Sequence, residues 1–167
     1  MDKSGEKWWI STISTEFSTI AERTARNMFL GEFAQSADAK GRVFIPARLR
    51  DELGEGFVVT RGFDRCLCVY PKTEWEIFAA KIDTFPTVQA RKVRRFIFSA
   101  ASDPKLDSQG RVLIPQNLRE YAGIEKDIVV IGVGSYIEIW AQSEWDKEKL
   151  LESSEEIETL MIALEER

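Results

Sequence analysis

A nine-residue stretch is written twice in this chain, and it constrains the fold more than any other feature. Asp38-Ala-Lys-Gly-Arg42-Val-Phe-Ile-Pro46 returns as Asp107-Ser-Gln-Gly-Arg111-Val-Leu-Ile-Pro115. The register between the copies is constant: Asp38 with Asp107, Gly41 with Gly110, Arg42 with Arg111, Ile45 with Ile114, Pro46 with Pro115. It runs on into Leu49 with Leu118 and Arg50 with Arg119. An internal repeat implies two copies of one supersecondary unit, so the chain is read first as a duplication.

Each copy has a local logic. Glycine reaches positive φ without a Cβ clash, so Gly41 and Gly110 mark tight turns. The aspartate four positions before each arginine bonds turn amides in an Asx-type arrangement. The apolar run after the turn is β-prone. Proline then opens a helix, where its missing N–H costs nothing. The unit therefore reads strand, turn, strand, helix.

The rest follows in order. Met28 to Ala37 reads as a strand, Arg42 to Ile45 as a second, and Pro46 to Leu53 as a helix ended by Gly54 or Gly56. Phe57 to Thr60 and Cys66 to Tyr70 form a hairpin around Gly62-Phe-Asp-Arg65. Pro71 opens a linker helix over Lys72 to Asp83, with Trp75, Phe78, Ala79 and Ile82 on one side. Phe85-Pro86 breaks it. A second helix spans Thr87 to Ala100 with Val93, Phe96 and Ile97 on its apolar face. The second copy begins with a strand over Ser102 to Leu106. After its turn come a strand to Ile114, a helix from Pro115 to Ala122 closed by Gly123, and a hairpin of Asp127 to Val133 with Tyr136 to Trp140. Ser143 is expected to cap a last helix, and Ser153 with Glu156 reads as a capping box where that helix restarts. Leu150, Ile157, Met161 and Leu164 make an apolar stripe, either packed on its own domain or forming a subunit contact.

This divides the chain into a segment 1–27, a first repeat 32–74, a helical linker 75–101, a second repeat 102–146 and an acidic C-terminal helix 147–167. The segment 1–27 has no counterpart in the repeat. Trp9, Ile13, Phe17 and Ile20 fall at helical spacing there. The sequence logic changes abruptly at Met28, so the segment reads as residues ahead of a natural start at Met28, with a true extension as the other reading.

Composition narrows the chemistry. The 167 residues contain no histidine, which removes the commonest general base and metal ligand. There is no nucleophile–base motif and no phosphate-cradling glycine loop, so no catalytic residue is assigned. Asp38 and Asp107 each have an arginine four residues on, which keeps a carboxylate ionised and unsuited to acid catalysis. Cys66 and Cys68, two apart on a strand, share a face. With no third ligand nearby in sequence they read as reduced core thiols, and neither a metal nor a cofactor is assigned. No apolar run approaches a membrane span or a signal-peptide core, so no membrane partner is expected and the setting reads as reducing and cytosolic.

The net charge is −5, but its distribution matters more than its sum. Glu144 to Arg167 carries nine acidic and three basic residues, leaving a net +1 for the remainder. Basic residues cluster there: Lys40, Arg42, Arg48 and Arg50; Arg61 and Arg65; Arg91, Lys92, Arg94 and Arg95. The last run reads first as a solvated helix face.

Duplicated units with Asp-x-x-Gly-Arg in the turn resemble the AbrB/SpoVT swapped-hairpin DNA-binding fold. Met28-Phe-Leu-Gly-Glu-Phe33, Asp38-x-Lys-Gly-Arg42, Ile45-Pro46-Ala-x-Leu-Arg50, Arg61-Gly62-Phe63 and Cys66-Leu67 are similar to the first half of the MraZ family. Arg95-x-x-x-Ser99-Ala-Ala101, Leu106-Asp-x-Gln-Gly-Arg111 and Ile114-Pro115 are similar to its second half. The resemblance covers Met28 to about Arg167. It implies an α+β fold: two tandem swapped-hairpin β units related by an internal pseudo-two-fold, with linker helices and a C-terminal helix. It further implies a cytoplasmic, nucleoid-associated transcriptional regulator of a division and cell-wall gene cluster. Such a protein binds double-stranded DNA at direct repeats upstream of its own operon, generally as a repressor. It assembles as a ring-shaped homo-oligomer and takes no small-molecule substrate. The DNA-binding residues carried over are Arg42, Lys40, Asp38 and Gly41, with Arg111, Asp107 and Gly110 as their second-half equivalents.

The chemistry is sound on its own terms, since arginine at a tight turn offers a planar fork to a guanine edge or a phosphate. The competing reading of each Asp–Arg pair is an ion pair that only holds the turn. Both hold if one copy contacts DNA and the other braces the fold. The second turn has Gln109 where the first has Lys40, so the first is the expected reader. The other functional class is a protein-assembly module of the same fold that does not bind DNA.

Overall fold

The computed structural model describes residues 28–167. The amphipathic segment expected near Trp9 to Ile20 lies outside them. In chain order the elements are β1 (Glu32–Ser36), β2 (Arg42–Phe44), α1 (Ala47–Leu53), β3 (Phe57–Arg61), β4 (Leu67–Pro71), α2 (Lys72–Asp83), α3 (Thr87–Phe98), β5 (Arg111–Leu113), α4 (Gln116–Ala122), β6 (Asp127–Gly132), β7 (Ile137–Ala141), α5 (Gln142–Leu151) and α6 (Ser154–Glu165).

The strands form a five-stranded sheet in the order β1-β6-β7-β4-β3 and a separate two-stranded ribbon, β2 with β5. This order shows an exchange between the repeats. β1, from the first copy, pairs antiparallel with β6 of the second, with Phe33 opposite Val130. In return Ser102, at the head of the second copy, makes a bridge to Val59 of β3, with hydrogen bonds of 2.8 and 2.9 Å in the two directions. The ribbon joins one short strand from each copy about the pair Val43–Val112. Two tandem swapped-hairpin units therefore share one core and a pseudo-two-fold through the ribbon.

The repeat explains the core. Val43, Ile45 and Leu49 are buried, and so are their counterparts Val112, Ile114 and Leu118. They form one cluster with Phe29, Leu67 and Ile128. Burial of such a branched aliphatic side chain contributes about 1.5–3 kcal/mol. Equivalent positions in the two copies therefore stabilise one interior, and neither copy encloses it alone.

Local expectations hold at most elements and fail at informative ones. Pro46 and Pro115 sit at the N-caps of α1 and α4, one residue before the first helical turn. The Pro46 carbonyl accepts from the amides of Leu49 and Arg50 at 2.9 and 3.0 Å. Gly54 ends α1 and Gly123, left-handed, ends α4. The strand expected over Ser102 to Leu106 reduces to the single bridge at Ser102. Pro104, which has no N–H to donate to a ladder, stands in that stretch. Ser143 does not cap α5. β7 runs straight into the helix, with Ala141 at the N-cap and no side-chain bond there, as β4 runs into α2 at Pro71. Ser153 and Glu156 do form a capping box: Glu156 N donates to Ser153 Oγ at 3.2 Å and Ser153 N to Glu156 Oε2 at 3.5 Å.

Among the described residues, the C-terminal stripe is not packed on its own domain. Leu150, Ile157, Met161 and Leu164 are all exposed, and α6 buries no residue.

Candidate nucleic-acid interface

The two turns lie at opposite ends of the β2–β5 ribbon, and each is held by its aspartate. Asp38 Oδ1 accepts from the amides of Lys40 and Arg42, both at 2.9 Å. Its Oδ2 accepts from Arg42 Nε at 2.6 Å. The second turn repeats this: Asp107 Oδ1 accepts from Gln109 N and Arg111 N at 2.9 Å, and Oδ2 from Arg111 Nε at 2.8 Å. The Arg42 amide, with its guanidinium and the Lys40 amide, holds the Asp38 carboxyl below the usual carboxylate range, against partial desolvation. The Arg111 amide does the same for Asp107. Both carboxylates are thus turned inward onto the turn, and both arginines are oriented by side-on contact at Nε.

Gly41 and Gly110 are needed twice over. Their φ values are 81° and 78°, which an L side chain rarely adopts. Each is also crossed by an arginine of the other repeat. A Cβ on Gly41 would lie 2.5 Å from Arg119 Nε, and one on Gly110 would lie 2.0 Å from Arg50 Nη1. The backbones interlock at the same places, with Ile45 N donating to Gly110 O at 3.1 Å and Ile114 N to Gly41 O at 3.0 Å. Each repeat therefore closes over the turn of the other.

The ribbon decides which way the arginines face. Side chains alternate along a strand, so burying Val43 and Val112 turns their neighbours outward. Arg42 and Phe44, with Arg111 and Leu113, come to the opposite face. The register sets Arg42 across from Leu113 and Arg111 across from Phe44. Phe44 is 36% and Leu113 54% exposed. Arg111 Nη1 lies 3.7 Å from Asp38 Oδ2, linking the two turns. The Arg50 guanidinium lies 5.0 Å from the Phe44 ring centroid. The linear sequence left open whether the two turns act separately, whereas the fold brings Asp38, Lys40, Gly41, Arg42, Asp107, Gly110 and Arg111 to one ribbon.

The other basic clusters lie away from the ribbon's strands. Arg61 donates through Nε and Nη2 to the Phe96 carbonyl at 2.9 and 2.6 Å, at the C-terminal end of α3. Arg65 is 3.9 Å from Glu144. Arg94 pairs with Asp83, while Arg91, Lys92 and Arg95 line the exposed side of α3. Sequence reasoning missed the outward Phe44 and Leu113 and the crossing of Arg50 and Arg119. The strict alternation around Val43 and Val112 is the signal that would have found the first two. Nothing local announces the crossing, because each partner belongs to the other repeat.

Comparison with known proteins places these features in context. The family model for MraZ proteins, whose description calls them antitoxin-like, matches residues 28–96 and again 97–162. The chain is 48% identical over 139 residues to a protein of Heliobacterium modesticaldum named transcriptional regulator MraZ, covering 81% of this chain and 97% of that one. A protein of the same name from Clostridium beijerinckii is 53% identical over 122 residues, 72% of this chain and 86% of its own. Another from Natranaerobius thermophilus is 50% identical over 121 residues, 71% of this chain and 85% of its own.

Proposed function

Because this chain belongs to the MraZ family of DNA-binding transcriptional regulators, we propose that it reads double-stranded promoter DNA with the outward face of the β2–β5 ribbon. The carrying observation is that Arg42 and Arg111 share that face, each oriented by an aspartate. A two-stranded ribbon fits the major groove of B-DNA, about 12 Å wide. Arginine there offers its fork to guanine, and Phe44 and Leu113 offer apolar contact to thymine methyls. Lys40, exposed on the first turn, is the phosphate contact that sets position. Asp38, Gly41, Asp107 and Gly110 complete the DNA-binding turns by holding them in shape for that contact. The division into repeats 32–74 and 102–146, linker 75–101 and tail 147–167 belongs to the same reading.

The second part of the proposal is assembly. One ribbon offers few base contacts and weak specificity. A ring-shaped homo-oligomer presents several in series, and effective concentration multiplies their affinity. Subunit spacing then sets site spacing, which makes direct repeats in a promoter the natural target. Occupying them upstream of its own division and cell-wall operon represses that operon, in the cytoplasm and on the nucleoid. The exposed stripe of α5 and α6 supports self-association. It is also the one observation that favours the other reading, an assembly module without DNA. No helix among the described residues is long and apolar enough to cross a membrane.

Fluorescence anisotropy separates the readings, using the full chain and Arg42→Ala on two labelled duplexes. One duplex carries the direct repeats upstream of the native operon, and the other is shuffled. We expect preference for the repeats, lost in Arg42→Ala with assembly size unchanged. Absence of binding to either duplex at low salt would sink the DNA reading and leave the assembly module.

A further inference from the structure

The sequence offers two thiols without a third ligand; the fold supplies one. Cys68 on β4 pairs directly across the strands with Glu138 on β7. Cys66, two residues before Cys68, shares its face. The three ligand atoms all lie within 4.8 Å of one another, and Cys66 Sγ is 3.5 Å from Glu138 Oε2. An ion with Zn–S near about 2.3 Å and Zn–O near about 2.0 Å in a tetrahedron holds sulfur and oxygen about 3.5 Å apart and two sulfurs about 3.8 Å apart. The sulfur–oxygen edge is thus already set, and small rotations of the thiols complete the triangle.

The surroundings fit a built site. Trp140 Nε1 donates to Glu138 Oε1 at 3.2 Å, which fixes the carboxylate with its other oxygen towards Cys66. Oriented ligands of this kind are the usual outer-shell support of metal centres. Gly62 lies so close that a Cβ would stand 2.6 Å from Cys66 Sγ and 3.0 Å from Cys68 Sγ, so no side chain there separates the sulfurs. A cleft of about 380 Å³, lined by Cys68, Glu138 and Asp64, gives a path in and room for a fourth ligand. Two buried thiols beside a partly buried carboxylate gather potential anions that a cation would compensate.

We propose that Cys66, Cys68 and Glu138 form a binding site for a thiophilic divalent cation of the zinc class, with water from the cleft in the fourth position. Two sulfurs select against magnesium and calcium. On binding, both thiols release their protons to solvent. Cys66 and Cys68 belong to the first repeat and Glu138 to the second, so the ion staples the repeats across the β4–β7 seam. This site is separate from the ribbon and stands whether or not the ribbon reads DNA.

The test uses the full chain, kept reduced with a phosphine and titrated anaerobically with Co²⁺ as probe. We expect one equivalent per chain, a sulfur-to-cobalt charge-transfer band, and displacement of cobalt by Zn²⁺. Cys68→Ser and Glu138→Gln should each weaken Co²⁺ binding by at least about 100-fold, and Trp140→Phe by about 10-fold. Zn²⁺ should raise the Tm of the wild type and leave that of Cys66→Ser/Cys68→Ser unchanged. Circular dichroism checks that each variant is folded. A wild-type chain showing no charge-transfer band at any cobalt concentration that leaves it folded overturns the proposal, whatever the variants do. Equal binding by the folded double-serine variant overturns it as well.

Discussion

At the scale of single residues, the difference between a charge and a fork decides what Arg42 does. Lysine keeps the charge but loses the planar pair of donors and the Nε contact that Asp38 uses. Arg42→Lys should therefore retain affinity for shuffled DNA while losing about 1–3 kcal/mol of discrimination, roughly 5- to 150-fold in the specific-to-nonspecific ratio measured by competition. The aspartates make a separate prediction. Their folded-state carboxyls lie below the unfolded value of about 4, so their contribution is fully present above that value. It is lost as pH falls through the lower, folded value. Asp38→Asn with Asp107→Asn should flatten the fall of Tm with pH below about pH 4, and a wild-type slope in the double variant would refute this.

At the scale of elements, two local devices behave differently because one is coupled to the core and the other is not. The Gly41 turn is locked under Arg119 and tied to β5 through the Ile114 amide. Gly41→Ala forces an L side chain into positive φ at about 1–2 kcal/mol and also displaces the Arg119 guanidinium, so chemical denaturation should show a global loss of at least that size. Helix α6 is the opposite case, since no residue of it is buried. Removing its cap with Ser153→Ala costs about 1 kcal/mol, which hydrogen exchange should report as roughly fivefold faster exchange confined to α6. The midpoint of global unfolding should not move in the monomer.

For the whole molecule, the exchange of strands makes the halves interdependent. Among the described residues, β1 pairs along its length with β6 alone, and β2 pairs along its length with β5 beyond its single local bridge from Val43 to Ala37. A piece spanning 28–96 should be unfolded alone, and adding 97–167 should restore cooperative melting. Two independently folded pieces would refute the shared core. The C-terminal stripe acts at the same scale. Leu160→Glu with Leu164→Glu places charge on an exposed apolar face. It should reduce the assembly size by sedimentation and leave the fold unchanged, as surface substitutions usually do.

Much of this could be read in the residues. Asp38-x-x-Gly-Arg42 and its copy specify their turns through contacts no more than four residues long, so the turn, the following strand and the helix after proline follow from short-range chemistry. The capping box at Ser153 is legible for the same reason. The strand expected at 102–106 and the cap expected at Ser143 miss because the first depends on a partner strand and the second on how β7 enters α5. The amino-acid order by itself determined that the chain is a duplicated strand–turn–strand–helix unit, with an arginine at each turn. Only the tertiary structure decided that the two arginines share one outward face, that each turn lies under an arginine of the other repeat, and that Glu138 meets Cys66 and Cys68. Those are contacts between residues about 70 positions apart. They arise from strand pairing across the repeats, whose register is set by burying Val43 and Val112 in a core that neither copy holds alone.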